Sequence, residues 1–426
     1  MALEAARVAK RRVSDAITDV YFATTTPAYL DKTNATAIHA ALDLDRSVFA
    51  GDMIGSVRSA AGAWRSAIDA AACGRISLIT FADIRTGMPG GVDERNGGDA
   101  GSALILGSGA AVIAEVLGVG SATREFLDRW RLPSEPSSRV WEERFGEEMY
   151  VPLAEAAVAD ACKAAGLAPD QFDHVVVGGL HSRAVKATAK ALGVAAATAG
   201  DFTHVIGNSG IAHPALVLGD VLDRAEPNQY ILLVTLADGG DAIVLRTTPA
   251  LVAYQTSTEP SRTVANQVSH GREVSYATFL SWNGHLVREP PRREDPSRPM
   301  APPAMRREAW KFALVGSRCR SCGSRNLPPQ RVCFHCQAAD EMDPAPVADV
   351  VGTVSTFTID RLAYSPSPPT VAAIVDFDGG GRCQCEITDV DENDVVLGTR
   401  VEMTFRRLYT AGAIHDYFWK AKPVVA

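Results

Sequence analysis

The sequence predicts an α/β body duplicated within one chain, then a zinc ribbon and a small β-barrel, and three observations carry that expectation. Over residues 1–247 helical and strand-like stretches follow one another in two successive rounds, the pattern of a repeated α/β unit whose halves meet at a cleft. Further on, two knuckles, Cys319-Arg-Ser-Cys322 and Cys333-Phe-His-Cys336, are separated by ten residues of polar, Pro-rich loop. Beyond Asp349, short alternating segments with Gly- and Asp-rich turns predict about five strands, enough for a closed barrel of the oligonucleotide/oligosaccharide-binding (OB) type.

Residues 1–12, rich in Ala, Arg and Lys, read as a helix, and 17–24 as a β-branched and aromatic strand ended by Thr24-Thr25-Thr26-Pro27. Residues 35–42 predict a helix and 48–50 a strand edge. Residues 56–74 predict a helix of small residues, suited to close packing or to a ligand at its N-terminus. A buried strand is expected over 75–83 and a strand pair over 103–117 around Gly107-Ser108-Gly109, whereas the polar, Trp-bearing 118–150 reads as an insertion or cap. The second round runs through helix 153–166, strand 174–178, helices 183–192 and 211–223, and strands 230–236 and 241–246. Residues 248–310 read as a Pro- and Arg-rich linker, extended through its densest run, 288–303. The ribbon then takes 311–345 and the barrel 346–426, with strands at 352–359, 370–376, 382–387 and 400–408.

Two thiolates from each knuckle, Cys319, Cys322, Cys333 and Cys336, fill the tetrahedral shell of one Zn²⁺, and Gly323 suits the tight turn after the first knuckle. With four thiolates no position is left for water, so the zinc is expected to be structural. Paired disulfides are the competing reading. No secretory signal precedes them, which favours reduced thiols and a cytoplasmic location. Cys383-Gln384-Cys385 puts two side chains on one face of a strand, a core or surface pair rather than a second metal site. A net charge of −8 and a pI near 5.7 argue against a nucleic-acid partner. The apolar run 103–117 is broken by Gly and Ser and carries Glu115, so no membrane span is expected.

Five short motifs stand in order along residues 1–247. They are Ala23-Thr24-Thr25-Thr26-Pro27, Asn96-Gly97-Gly98-Asp99-Ala100-Gly101-Ser102-Ala103, Gly179-Leu180-His181, Gly207-Asn208-Ser209-Gly210 and Asp238-Gly239-Gly240-Asp241-Ala242. Their order and spacing resemble the thiolase superfamily, in the branch of β-ketoacyl synthase III and bacterial or archaeal hydroxymethylglutaryl-CoA synthase. The ribbon and barrel, with Leu327-Pro328-Pro329 between the knuckles, resemble the OB-fold acyl-CoA-associated proteins fused to or complexed with thiolases. The resemblance implies a five-layer α/β/α/β/α body, an acyl-CoA substrate, a homodimer or hetero-oligomer, and a thiolase subunit as partner. It also implies that His181 and Asn208 stabilise a thioester enolate and handle its proton.

The departures shape the functional expectation. That chemistry needs a cysteine thiolate at a helix N-terminus, and the matching turn, Asp52-Met53-Ile54-Gly55-Ser56-Val57-Arg58, has Val57 there, with Ser56 and Ser59 alongside. The synthase glutamate is matched by Thr25, and Cys73 lies at the far end of the helix. Three readings follow: a non-nucleophilic CoA-thioester-binding subunit working beside a catalytic thiolase, an acyltransferase or synthase in which Ser56 or Ser59 takes the acyl group, and a scaffold without ligand. The first is the expectation. Arg58 at the helix start and Arg183 near His181 are candidates for the CoA phosphates. The family's halves open with a strand and helix absent before Met1, so an unpaired edge of the first sheet is expected, from a start that lies upstream or from a covering subunit.

Overall fold

The computed structural model describes all residues except 14–15, 134, 290–292, 364, 366 and 425–426, and the side chain of Glu143. The chain divides into two compact units, Met1–Thr36 with Asp45–Arg272, and Ala37–Leu44 with Glu273–Ala426.

Up to its first sheet the chain runs α1 (Ala2–Lys10), β1 (Asp19–Thr24), α2 (Ala35–Ala41), β2 (Phe49–Ile54), α3 (Ser59–Ala72), β3 (Ser77–Asp83), α4 (Val92–Asn96) and β4 (Ala100–Leu106). The sheet order is β2-β1-β3-β4; β1 pairs in parallel with β2 and β3, and β4 returns antiparallel on β3. β1 is therefore paired on both sides, and the edges are β2 and β4. The second round is β5 (Ala114–Thr123), β6 (Arg129–Trp130), β7 (Arg139–Val140), α5 (Glu143–Ala165), β8 (His174–Gly179), α6 (Ser182–Ala191), α7 (Thr203–Ile206), α8 (His213–Arg224), β9 (Tyr230–Leu236) and β10 (Gly239–Thr247). In its sheet, β5-β10-β9-β8, the pairing β8 parallel to β9 and β10 antiparallel on β9 repeats that of β1, β3 and β4, whereas the fourth strand differs: β5 is antiparallel on β10, β2 parallel on β1. The duplication expected from sequence is present in the pairing itself.

Strands buried on both faces explain the layers. On β9, Ile231 and Leu233 join a core with Ala60, Ala63, Trp64 and Ala67 of α3, Leu218 and Val221 of α8, and Ile79 and Phe81 of β3. The alternate residues Leu232, Val234 and Leu236 face Ala154, Ala157 and Ala161 of α5 and Ala184 of α6. Helices α3 and α8 thus fill the space between the sheets, α5 and α6 cover the second sheet, and Leu3 and Ala6 of α1 are buried where it packs on β3 and β4. This is the five-layer α/β/α/β/α body.

Three expectations are corrected. The stretch 103–117 is no strand pair: β4 ends on β3 while β5 pairs with β10, and the Gly107–Gly109 region carries the chain between sheets. Residues 118–150 are only partly a cap. Gly118 and Gly120 lie in β5, where a Cβ would run into the α5 carbonyls of Ala161 and Ala157, so these glycines mark close helix-on-sheet packing that resembles loop in sequence. Residues 248–310 also contain helices: α9 (Ala250–Ser257), α10 (Val264–Ser269), α11 (Tyr276–Trp282), α12 (Ala301–Arg306) and α13 (Glu308–Ala313). Leu251 is fully buried in the body's core, and the Gln255 side chain donates to the Leu222 and Ala225 carbonyls at the end of α8. α12 forms because Pro302 and Pro303 occupy its first turn, where a missing N–H is tolerated. Pro290, Pro291 and Arg292 of the same run lie outside the described residues.

In the second unit a three-stranded ribbon, β12-β11-β13, is built from β11 (Val315–Cys319), β12 (Arg325–Asn326) and β13 (Met342–Pro346). It is followed by β14 (Gly352–Asp360), β15 (Thr370–Phe377), β16 (Arg382–Ile387), β17 (Arg400–Ala411) and β18 (Ile414–Pro423), closed in the order β14-β15-β16-β18-β17. Trp419 is buried among Val354, Val375, Ile387 and Met403, its indole N–H donating to the Phe312 carbonyl at 2.9 Å.

Candidate functional site

Loops from both halves of the body are tied together by buried polar groups. Asp83, at the end of β3 and 1% exposed, accepts from the Thr25 amide (2.7 Å) and the Thr24 hydroxyl (3.2 Å) through one oxygen, and from the Ile211 amide (3.0 Å) through the other. One carboxylate therefore joins the strand end of the first half to the Asn208 loop of the second. Gly210, at φ +59°, sits against it where a Cβ has no room. The Asn208 amide donates to the Asn96 carbonyl (2.7 Å) and its own carbonyl accepts from Gly98 (3.1 Å), which fixes the loop to the glycine-rich turn. Its side chain donates to the Gly179 carbonyl (2.8 Å), two residues before His181. The His181 and Asn208 turns expected from sequence are thus brought together.

Val57, matched in sequence to the acyl-accepting residue, is buried at 5% exposure, with the exposed Ser56 and the partly buried Ser59 on either side. The Ser56 hydroxyl accepts from the Arg58 amide (3.3 Å), and neither serine is hydrogen-bonded to a histidine among the described residues. Cys73 is exposed at the opposite end of α3. Thr25 is held by two arginines: Arg85 donates to its hydroxyl (3.3 Å) and Arg131 to its carbonyl (2.5 Å).

Arg58 is turned inward, contrary to the phosphate role expected of it. It donates to Asp241 (2.9 Å), the Asp238 carbonyl (2.9 Å), Ser121 (3.2 Å) and the Ala122 carbonyl (3.3 Å), clamping the turn before α3 to the last hairpin. Arg183 stays exposed, 3.5 Å from Glu147.

His181 N-caps α6, its Nδ1 accepting from the Ala184 amide at 3.1 Å, so the neutral ring carries its proton on Nε2. Nε2 is buried without a hydrogen-bond partner, and so is Oδ1 of Asp128. Both lie against α5 at Gly146, each 2.7 Å from where a Cβ on that residue would stand. Burial pushes the Asp128 carboxyl above its ordinary range, an effect opposed first by His181 and then by Arg129. Burial also raises the Tyr150 phenol, with Asp128 and Asp238 adding to it. Asp83 and Asp128 were missed in the sequence. Asp83 ends a strand like any turn residue, and Asp128 lies in a segment whose polarity reads as surface.

In the ribbon the four cysteine sulfurs converge, all within 4.8 Å of one another. The Cys319–Cys336 and Cys322–Cys333 separations are each 3.6 Å, close to the about 3.8 Å that tetrahedral Zn–S bonds of about 2.3 Å impose. The Cys333 sulfur accepts from the His335 amide (3.4 Å), and Gly323 has φ +73°. The donor set and spacing fit structural zinc. Cys383 and Cys385 face the barrel interior, where burial raises their thiols to about 11 and about 12; they are a core pair.

Residues 312–343 match the family described as ChsH2, rubredoxin-like zinc ribbon domain, and 345–406 the ChsH2, C-terminal OB-fold domain. A hydroxymethylglutaryl-CoA synthase from Aeropyrum pernix is 28% identical over 296 residues, spanning 67% of this chain and 81% of that protein. A DUF35 domain-containing scaffold protein from Methanocaldococcus jannaschii is 29% identical over 119 residues, 27% of this chain and 84% of the relative. Among solved structures, 3-oxoacyl-(acyl carrier protein) synthase III from Pseudomonas aeruginosa superposes with a TM-score of 0.52 at 19% identity, over 58% of this chain and 82% of that one. The body is thus a thiolase fold similar to hydroxymethylglutaryl-CoA synthase and β-ketoacyl synthase III, and the C-terminal part carries ChsH2-type ribbon and OB domains. Among the described residues no helix is long and apolar enough to cross a membrane.

Proposed function

We propose that this chain is the non-nucleophilic, CoA-thioester-binding subunit of a cytoplasmic acyl-transfer assembly, condensing or thiolytic, whose covalent chemistry is done by a catalytic thiolase subunit. The observation that carries this reading is a contrast between two stretches of the body. A buried Val57 stands where the acyl-accepting thiolate belongs, while the His181 and Asn208 loops are pinned by Asp83, Asn96 and Gly179. The ribbon and barrel serve as the bridge to the thiolase, a role supported by the likeness of this segment to small proteins described as scaffolds. Arg183, exposed beside His181, is the remaining candidate for a CoA phosphate.

Intact-mass measurement after incubation with acetyl-CoA and longer acyl-CoAs, alongside calorimetric binding, tests the reading. Thioester binding without a covalent adduct is expected. A stable adduct lost in Ser56→Ala or Ser59→Ala makes the chain a serine-dependent acyltransferase.

A further inference from the structure

We infer that Asp128 supplies the carboxylate that this cleft lacks at Thr25, forming with His181 an acid–base pair for the α-carbon of a CoA thioester. The inference rests on the thioester-binding reading above and assigns the chemistry of that site. A buried carboxylate oxygen without a partner is costly to fold around, and Asp128 Oδ1 is one, facing the equally unpartnered His181 Nε2 across Gly146. The placement is built. The Asp128 carbonyl accepts the Trp141 amide at 2.7 Å, and the neighbouring Arg129 is held bidentate on Asp93 at 2.6 and 3.0 Å. The other titratable groups acting on Asp128 are Tyr150 of α5 and Asp238 of the last hairpin. At Thr25, by contrast, Arg85 and Arg131 occupy the surroundings, and a hydroxyl cannot accept a carbon-bound proton.

In the step, the Asp128 carboxylate takes a proton from the carbon next to the thioester carbonyl. The C–H electron pair becomes the C=C bond of the enolate, and the oxygen that gains the charge is held by the Nε2–H of His181. Return of a proton from Asp128 to carbon restores the thioester, so nothing is consumed. Burial, by raising the carboxyl, makes it a better base near neutral pH. In this structure α5 lies over both atoms at Gly146, so the proposed step requires that turn to move aside.

The test incubates the full chain with acetyl-CoA in D₂O, following deuterium in the recovered acetyl-CoA by mass spectrometry and binding by calorimetry. Wild type is expected to introduce deuterium. Asp128→Asn should slow this by about a hundredfold or more while keeping affinity within about threefold, and Asp128→Glu should recover part of the rate. Because the pair acts as a unit, Asp128→Asn with His181→Ala should exchange no more slowly than His181→Ala alone. Exchange undiminished in Asp128→Asn, or wild type that binds without exchanging, overturns the pair and leaves the binding reading intact. Wild type that does not bind the thioester overturns the binding reading, and the pair with it.

Discussion

The zinc ribbon and the His181 cleft are both made from loops, but on opposite terms. The ribbon takes its four sulfurs from two knuckles within a few turns of chain, and the local backbone sets the 3.6 Å sulfur pairs. The His181 site draws on segments from both halves of the body, with Asp83 holding the Thr25 strand end to the Asn208 loop and Asp128 lying beside His181 at Gly146. A site of the first kind depends on its metal; a site of the second kind depends on the fold around it.

The largest effect should separate the two. Removing zinc, or Cys333→Ser, should unfold the ribbon, because metal binding at such sites contributes on the order of 10 kcal/mol of folding free energy. Metal analysis should give one zinc per chain, and circular dichroism a first transition that EDTA abolishes. A ribbon unchanged by chelation breaks the comparison. Next comes Asp83→Ala, which strands the Thr24, Thr25 and Ile211 donors and should cost roughly 3–5 kcal/mol in urea unfolding. A loss under about 1 kcal/mol would mean that the two halves are not joined there.

Gly146→Ala sharpens the picture of the covered histidine. Alanine ordinarily gains about 1 kcal/mol over glycine inside a helix, yet here its Cβ would stand 2.5–2.7 Å from His181 and Asp128. A net loss of about 1–3 kcal/mol is expected, and a rise in Tm would show that α5 does not lie on the imidazole.

The smallest effect has an unusual sign. Because burial raises the Asp128 carboxyl, the folded chain holds that proton more tightly than the unfolded chain. Its stability should therefore fall as pH rises from the ordinary carboxylate range through the raised value. Asp128→Asn should remove that fall and melt at or above wild type at neutral pH, with the advantage disappearing in acid. A variant less stable at every pH would make Asp128 structural.

Legibility in the sequence follows the same division. The ribbon and the five-strand barrel could be read because their signals are local: cysteine spacing, alternation and turn residues. In the body, strands such as β9 announced themselves by apolar runs, whereas Gly118 and Gly120 misled because close packing and loops both select glycine. His181 and Asn208 were singled out through motif order. Asp83 and Asp128 were not, since a carboxylate becomes a site member only when distant segments bury it. Arg58 was assigned to a ligand because an arginine at a helix start offers no sign that Asp241 will claim it.

The most direct test of the central claim is intact-mass analysis of the purified chain with acyl-CoA, paired with calorimetry on the same sample. The account predicts thioester binding with no mass increase, in wild type and in the Ser56→Ala and Ser59→Ala variants alike. A covalent acyl adduct on the wild-type chain would contradict it and return the nucleophile to this subunit.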